Sequence, residues 1–254
     1  MSQDLVLQQR DGYLLHLTLN RPDKKNALTF EMYLALIEAM KQAEQDDGIR
    51  VLLLSGAGGS FTSGNDIAAF VAAMGQPEKA RIPLSFLQAL ASFSKPIVAA
   101  VDGVAVGIGT SLLLHCDLVL ASEDAIFQLP FTKLGLVPEG GTSLLLPQQL
   151  GHRLAFELLV EGDAIPAHRA AQLGLINTVL PQSQLLDSAL RRAHTLTRLA
   201  PEAVRQSKQM LKAANKPALD AVLVSEVEAF AARLSSPEAR EAFQAFMEKR
   251  APNF

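Results

Sequence analysis

A single cysteine among 254 residues, Cys116, excludes an intrachain disulfide and any cysteine-rich metal site, and it suits a reducing compartment. Long apolar runs are missing as well. None approaches the roughly 18 residues that a membrane span needs, and Met1–Val6 lacks the basic-then-apolar pattern of a secretory leader. The formal net charge is only -3, so the overall balance gives no support for nucleic acid or an acidic surface as partner. The composition therefore predicts a cytoplasmic protein with neither a membrane nor a nucleic-acid partner.

Several catalytic signatures are also absent. A Walker phosphate loop needs a lysine directly before Ser or Thr to meet the terminal phosphates, and Gly107-Ile-Gly109-Thr110 has none. A dinucleotide fingerprint would want a small residue at Leu112 and an opening strand near the N-terminus, and both conditions fail. The five histidines never fall at i, i+4 with an acidic partner, so no zinc helix and no metal site are expected. Thr62-Ser63-Gly64 lacks the glycine that a nucleophile elbow places two before its serine. His115 and Cys116 read as buried core residues. No repeat of fixed period and no low-complexity tract occurs.

What is present is a chain 49% apolar, enough to bury a full core as one large domain or one domain with an appendage. Alternation over residues 4–19 around Asp11-Gly12 predicts an opening β-hairpin. Thr29 is placed to cap a helix over about 30–46, with Met32, Leu36, Met40 and Ala43 on one face. Short apolar runs at 50–56, 95–101, 117–121 and 125–127 predict strands buried on both faces, with a further strand at 175–180. Helical pieces are expected near 68–73 and 84–93, separated by a small and polar excursion over 74–82. Thr110 to Leu114 reads as the opening of a buried helix, and Thr142 or Ser143 as the cap of another. Helices near 184–198, 201–215, 217–233 and 236–249 follow without intervening strands. Strands alternating with helices predict an α/β core, and the last quarter a helical appendage.

Two stretches stand out. Gly103-Val-Ala-Val-Gly107-Ile-Gly109 lets the backbone turn sharply and approach a ligand, or else only packs a helix tightly on a sheet. Glu139 lies between Pro138 and Gly140-Gly141, with Leu134, Leu136 and Val137 before it and Leu144 to Leu146 after it. A carboxylate among apolar groups has its charged form disfavoured and becomes a better proton acceptor. A lone loop glutamate is more commonly a solvated surface charge.

Asn20-Arg21-Pro22 with Asn26-Ala27-Leu28, then Phe61-Thr-Ser-Gly64-Asn65-Asp66-Ile67, then Lys95-Pro96 through Gly103 into Gly107-Ile-Gly109, then Cys116-Asp117 and the Pro130-to-Thr142 loop occur in one order. In that order they resemble the enoyl-CoA hydratase/isomerase (crotonase) superfamily over nearly the whole chain. The resemblance implies a crotonase-like spiral of β-β-α units over residues 1–195, with a C-terminal helical region over 196–254 for assembly and active-site cover. It implies homotrimers or dimers of trimers, an acyl-CoA substrate, and no cofactor beyond the coenzyme A that the substrate itself contains.

The resemblance further implies that the thioester oxygen is held by the backbone N–H groups of Asn65 and Ile108. Lys25, Ala27, Ser63, Asp66, Ile67 and Gly107 become the expected substrate- and CoA-binding residues. Lys249 and Arg250 are further candidates for phosphate charge, and Phe70 and Phe86 either line an acyl tunnel or pack in the core. The two acids of the family's hydratases fall on Ser111 and Phe131, neither of them acidic. The segment Leu134 to Gly140 and the loop Ser63-Gly64-Asn65-Asp66 are similar to those of the peroxisomal-type 3,2-enoyl-CoA isomerases. Glu139 is thereby the expected general base and acid of an isomerase. A hydratase, another crotonase-type enzyme and a non-catalytic acyl-CoA-binding homologue are the alternatives.

Overall fold

A computed structural model describes residues 4–72 and 77–254. Met1–Gln3 of the N-terminal stretch, residue 73 of the expected helical piece and residues 74–76 of the expected excursion lie outside the described residues.

The chain opens with β1 (Val6–Asp11) and β2 (Leu14–Leu19), the antiparallel hairpin expected around Asp11-Gly12. Helix α1 (Phe30–Gln45) follows, capped by Thr29, whose side chain accepts a hydrogen bond from Met32 N. Then come β3 (Val51–Gly56), α2 (Ile67–Ala72), α3 (Pro77–Ala80), α4 (Ile82–Ser92), β4 (Ile97–Val101), β5 (Val104–Val106) and α5 (Ile108–Ser111). Next are β6 (Leu118–Ser122), β7 (Ile126–Gln128), α6 (Thr142–Leu150), α7 (His152–Phe156), β8 (Ile165–Pro166), α8 (Ala167–Gln172) and β9 (Thr178–Leu180). The chain ends in α9 (Gln182–Thr197), α10 (Pro201–Ala213), α11 (Lys216–Leu234) and α12 (Pro237–Glu248).

The larger sheet runs β1-β2-β3-β4-β6-β9, parallel from β2 onward, and the smaller runs β5-β7-β8. Each circuit adds one strand to each sheet: β4 joins the large sheet and β5 the small, then β6 and β7 do the same. The preceding circuit contributes a single rung, Thr62, which bridges Ala105 of β5. Asn65 in turn bridges Leu28. This stacking is the expected spiral of β-β-α units.

The period-2 pattern of β3 divides its side chains. Val51 and Leu53 face Leu185, Ala189 and Ala193 of α9, whereas Leu52 and Leu54 belong to the main core with α1 and α4. Both faces are covered, which explains the unbroken apolar runs. The later helices return over the spiral: α11 packs on α4 and α6, and α12 on the 3-10 turn Thr132–Leu134.

Some local expectations change. The helix after Gly107 is only the four residues of α5, continued by a 3-10 turn over Leu112–His115. The strand expected at 175–180 pairs only over Thr178–Leu180. Strands β5 and β8 went unread because two or three residues carry no measurable alternation. Among the described residues, no helix is long and apolar enough to cross a membrane.

Candidate active site

Two rungs of the spiral set the backbone of the site. Leu28 N donates to Gly64 O and Asp66 N donates to Leu28 O, so the intervening Asn65 N–H points away from that neighbour. On the other side Gly64, at φ +91°, lies so close to Val106 that a Cβ would sit 2.7 Å from its carbonyl oxygen. Gly107 then turns the chain at φ 55°, ψ -120°, a conformation open to glycine, and Ile108 begins α5. Among the described residues, neither the Asn65 N–H nor the Ile108 N–H has an acceptor. Two unpaired donors from adjacent rungs therefore border one cavity, the arrangement an oxyanion needs.

That cavity has a volume of about 270 Å³. Ser63, Gly64, Asn65, Ile67, Gly107, Ile108 and Glu139 line its polar side, with Phe70, Phe131, Leu134 and Leu136 beside them. Phe230 and Leu234 of α11, with Phe243 and Phe246 of α12, complete the wall.

Glu139 is only 3% exposed. Its Oε1 accepts a hydrogen bond of 3.3 Å from Asn65 Nδ2. The orientation of that amide is fixed from behind, because the hydroxyl of Tyr33, fully buried on α1, donates to Asn65 Oδ1. Burial pushes the Glu139 carboxyl up to about 8, the negative charge of Glu226 adds to the rise, and the Asn65 hydrogen bond opposes it. Burial, followed by the Glu139 charge, pushes the Tyr33 phenol well above its ordinary range.

The loop around Glu139 is held on several sides. Thr142 Oγ1 donates to Glu139 O at 2.9 Å. His115 Nε2 lies 2.9 Å from Gly140 O and donates to it, since a carbonyl can only accept. Burial lowers that imidazole to about 4, so it is neutral and acts as the satisfied core histidine expected. The cap of α6 differs from expectation: its own residues make no side-chain cap, and Glu226 of α11 accepts from Gly141 N, Ser143 N and Ser143 Oγ instead.

The remaining expected residues divide. Ser63, Ile67 and Gly107 stand in the cavity wall. Lys25 is exposed on the 20–28 loop, and Ala27 is half-buried with its carbonyl accepting from Arg21 Nη1. Asp66 is tied up in the fold: it pairs with Arg21 at 2.6 Å and accepts from Ala69 N at the start of α2. Arg250 pairs with Glu241 and Glu248, and Lys249 ends α12 in a left-handed conformation. Phe70 reaches the cavity, while Phe86 packs against Tyr33 in the core.

Ser111 is fully buried, its hydroxyl donating to Gly107 O, and Phe131 forms part of the apolar wall. Burial pushes the Cys116 thiol up to about 12, which keeps it unreactive. Among the described residues, no three His, Cys, Asp or Glu side chains gather within reach of one metal ion.

Tyr33 and Glu226 are not singled out from the sequence, and Arg21 is named there only within the Asn20-Arg21-Pro22 motif. A signal existed for two of them: Tyr33 and Glu226 each put a polar group on the apolar face of a helix, Glu226 between Leu223 and Phe230.

Two open N–H donors beside a buried carboxylate are what proton transfer next to an activated carbonyl requires, and comparison with known proteins shows the family. The sequence profile of the Enoyl-CoA hydratase/isomerase family matches residues 9–254. Enoyl-CoA delta isomerase 2 of Rattus norvegicus is 36% identical over 96% of this chain and 64% of its own length. The 2,3-dehydroadipyl-CoA hydratase of Escherichia coli K12 is 34% identical over 99% of this chain and 98% of its own. A solved enoyl-CoA hydratase/isomerase from Pseudoalteromonas atlantica T6c superposes with a TM-score of 0.93 at 40% identity, covering 99% of this chain and 100% of that one. The chain belongs to the enoyl-CoA hydratase/isomerase family and has the crotonase fold.

The chain spans just under two thirds of the length of the rat isomerase.

Proposed function

We propose that the protein is a 3,2-enoyl-CoA isomerase. The observation that supports this most is one buried, proton-hungry carboxylate, Glu139, on the cavity wall, with no acid at Ser111 or Phe131. In this reading the thioester oxygen of a 3-enoyl-CoA accepts from Asn65 N–H and Ile108 N–H. The Glu139 carboxylate removes a proton from C2, the electron pair delocalises over the thioester and the former double bond, and the dienolate is held by the two donors. Glu139 then returns the proton to C4, leaving the double bond between C2 and C3. No atom is gained or lost, so the reaction consumes no co-substrate and draws on no cofactor besides the coenzyme A of the substrate.

Loss of one oxyanion donor typically costs about 10²–10³ in rate, so the backbone geometry around Gly64 and Gly107 supplies much of the catalysis. Lys25, Ala27, Ser63, Asp66, Ile67 and Gly107 are the proposed contacts to the CoA and acyl groups, with Asp66 held by its pairing with Arg21. A cytoplasmic homotrimer, alone or stacked as two trimers, is the assembly that goes with this reading. The separation of a spiral over 1–195 from a helical region over 196–254 belongs to it as well.

The experiment is direct. Purified protein given a 3-enoyl-CoA should generate the conjugated 2-enoyl-CoA, and efficient hydration of a 2-enoyl-CoA in its place would sink the assignment. The E. coli relative keeps hydration as the second reading. Against it stand the two side chains at the hydratase positions: a phenylalanine exchanges no protons, and the Ser111 hydroxyl is committed to a backbone carbonyl.

A further inference from the structure

The strongest unassigned feature is Glu226, a carboxylate 6% exposed that α11 sends into the first turn of α6. Its Oε2 accepts from Gly141 N at 2.6 Å, and its Oε1 accepts from Ser143 N at 2.9 Å and Ser143 Oγ at 2.5 Å. Burial pushes this carboxyl above its ordinary range, and the three donors, with the favourable end of the α6 dipole, oppose that rise and hold the group in place. The donors belong to Gly141 and Ser143, in the turn that leads from Glu139 into α6. We propose that Glu226 is a positioning residue that clamps the Glu139 loop from the C-terminal helices and sets a second negative charge beside the base. The proposal rests on the reading of Glu139 as that base.

Few other charges bear on the pair. Tyr33 of α1 approaches through Asn65, and His115 is neutral and bound to Gly140 O. Helices α4 and α6, packed on α11, carry no charged side chain. Lys212 of α10 is engaged with His115 O, and Arg233 of α11 with Glu238 of α12. The Glu226 charge, held by its three donors, acts on Glu139 in the direction that favours the protonated base.

The clamp also ties chemistry to cover. Glu226 sits on the same helix as Phe230 and Leu234, which wall the cavity, so a shift of α11 moves both the apolar wall and the general base.

The test is an infrared titration of the protonated carboxyl band of Glu139, identified by its disappearance in Glu139→Gln, together with pH-rate profiles on a 3-enoyl-CoA. Glu226→Gln should lower the Glu139 midpoint by about one pH unit by removing the neighbouring charge, and should cut kcat about tenfold by loosening the loop. Ser143→Ala loosens the clamp but keeps the charge, so it should leave the midpoint in place while kcat falls a few-fold. An unchanged midpoint in Glu226→Gln, or an equal fall in Ser143→Ala, overturns the proposal.

If Glu226→Gln gives no folded protein by circular dichroism, Glu226→Asp replaces it. Its shorter side chain keeps the charge but cannot span Gly141 N and Ser143 N together, so a reduced kcat with the midpoint kept at its wild-type value supports the clamp and a wild-type kcat overturns it. A wild-type protein that isomerises no 3-enoyl-CoA, yet shows the midpoint falling in Glu226→Gln, would leave the clamp standing and remove the isomerase reading.

Discussion

Two carboxylates, the half-buried Asp117 and the buried Glu139, are treated in opposite ways. Asp117, at the start of β6, accepts from Ile97 N at 2.7 Å and from Lys208 Nζ at 2.7 Å, and the same lysine also donates to Lys95 O. Its charge is matched by a cation and a main-chain donor. Glu139 has one long hydrogen bond from an amide and a second carboxylate for a neighbour. Glu139 loses more solvation than the half-buried Asp117, yet only Asp117 is compensated in place. The first is an anchor between α10 and the large sheet. The second is the proposed base, and its discomfort as an anion is what would make it basic.

The sharpest way to break the comparison is to neutralise each in turn. Glu139→Gln should reduce isomerase turnover by about 10³-fold or more with the fold intact, measured by steady-state kinetics and circular dichroism. Lys208→Met should act the other way: stability falls by about 2–3 kcal/mol in urea titration as Asp117 loses its cation, while kcat in the folded protein changes little.

A smaller effect concerns pH. With the Glu139 carboxyl at about 8, kcat/KM should rise about tenfold per unit as the pH approaches 8 and level off above it. The same shift predicts a stability change. The folded carboxyl holds its proton more tightly than the unfolded one, whose ordinary value is 4.5, so its contribution is complete below that pH and is lost as the pH rises through about 8. Glu139→Gln should therefore raise the melting temperature by several degrees at pH 9 and scarcely at pH 4. The smallest expected effect is that of Tyr33→Phe, which frees the Asn65 amide to rotate. We expect kcat to fall by about 3–10-fold with KM unchanged, the equivalent of one hydrogen bond.

The two carboxylates also differ in how far the sequence exposes them. Glu139 is partly legible because its neighbours are local: Pro138, two glycines and flanking leucines suggest a carboxylate in an apolar place, and the family resemblance tips the balance against a solvated surface charge. The large sheet is legible for a similar reason, since unbroken runs such as Val51 to Leu54 have a short list of structural explanations. What could not be read is pairing across distance. Nothing near residue 226 says that its partners are 141 and 143, and nothing near Tyr33 says that it will orient residue 65. Arg21 and Asp66 likewise meet across 45 positions. The expected cap at Thr142 or Ser143 failed for this reason, because a local rule was answered by a remote side chain.

The cavity wall is assembled from stretches of chain far apart in sequence. The polar side comes from residues 63–65, 107–108 and 139, to which the proposed reaction assigns the proton transfers, while the apolar wall borrows Phe230, Leu234, Phe243 and Phe246 from the last two helices. Changes that resize this wall need not touch the groups that move protons. The C-terminal helices can thus serve as an adjustable gauge for the length and bulk of the guest, retuned one phenylalanine at a time, with Glu226 as the fixed point that keeps such retuning from displacing the base.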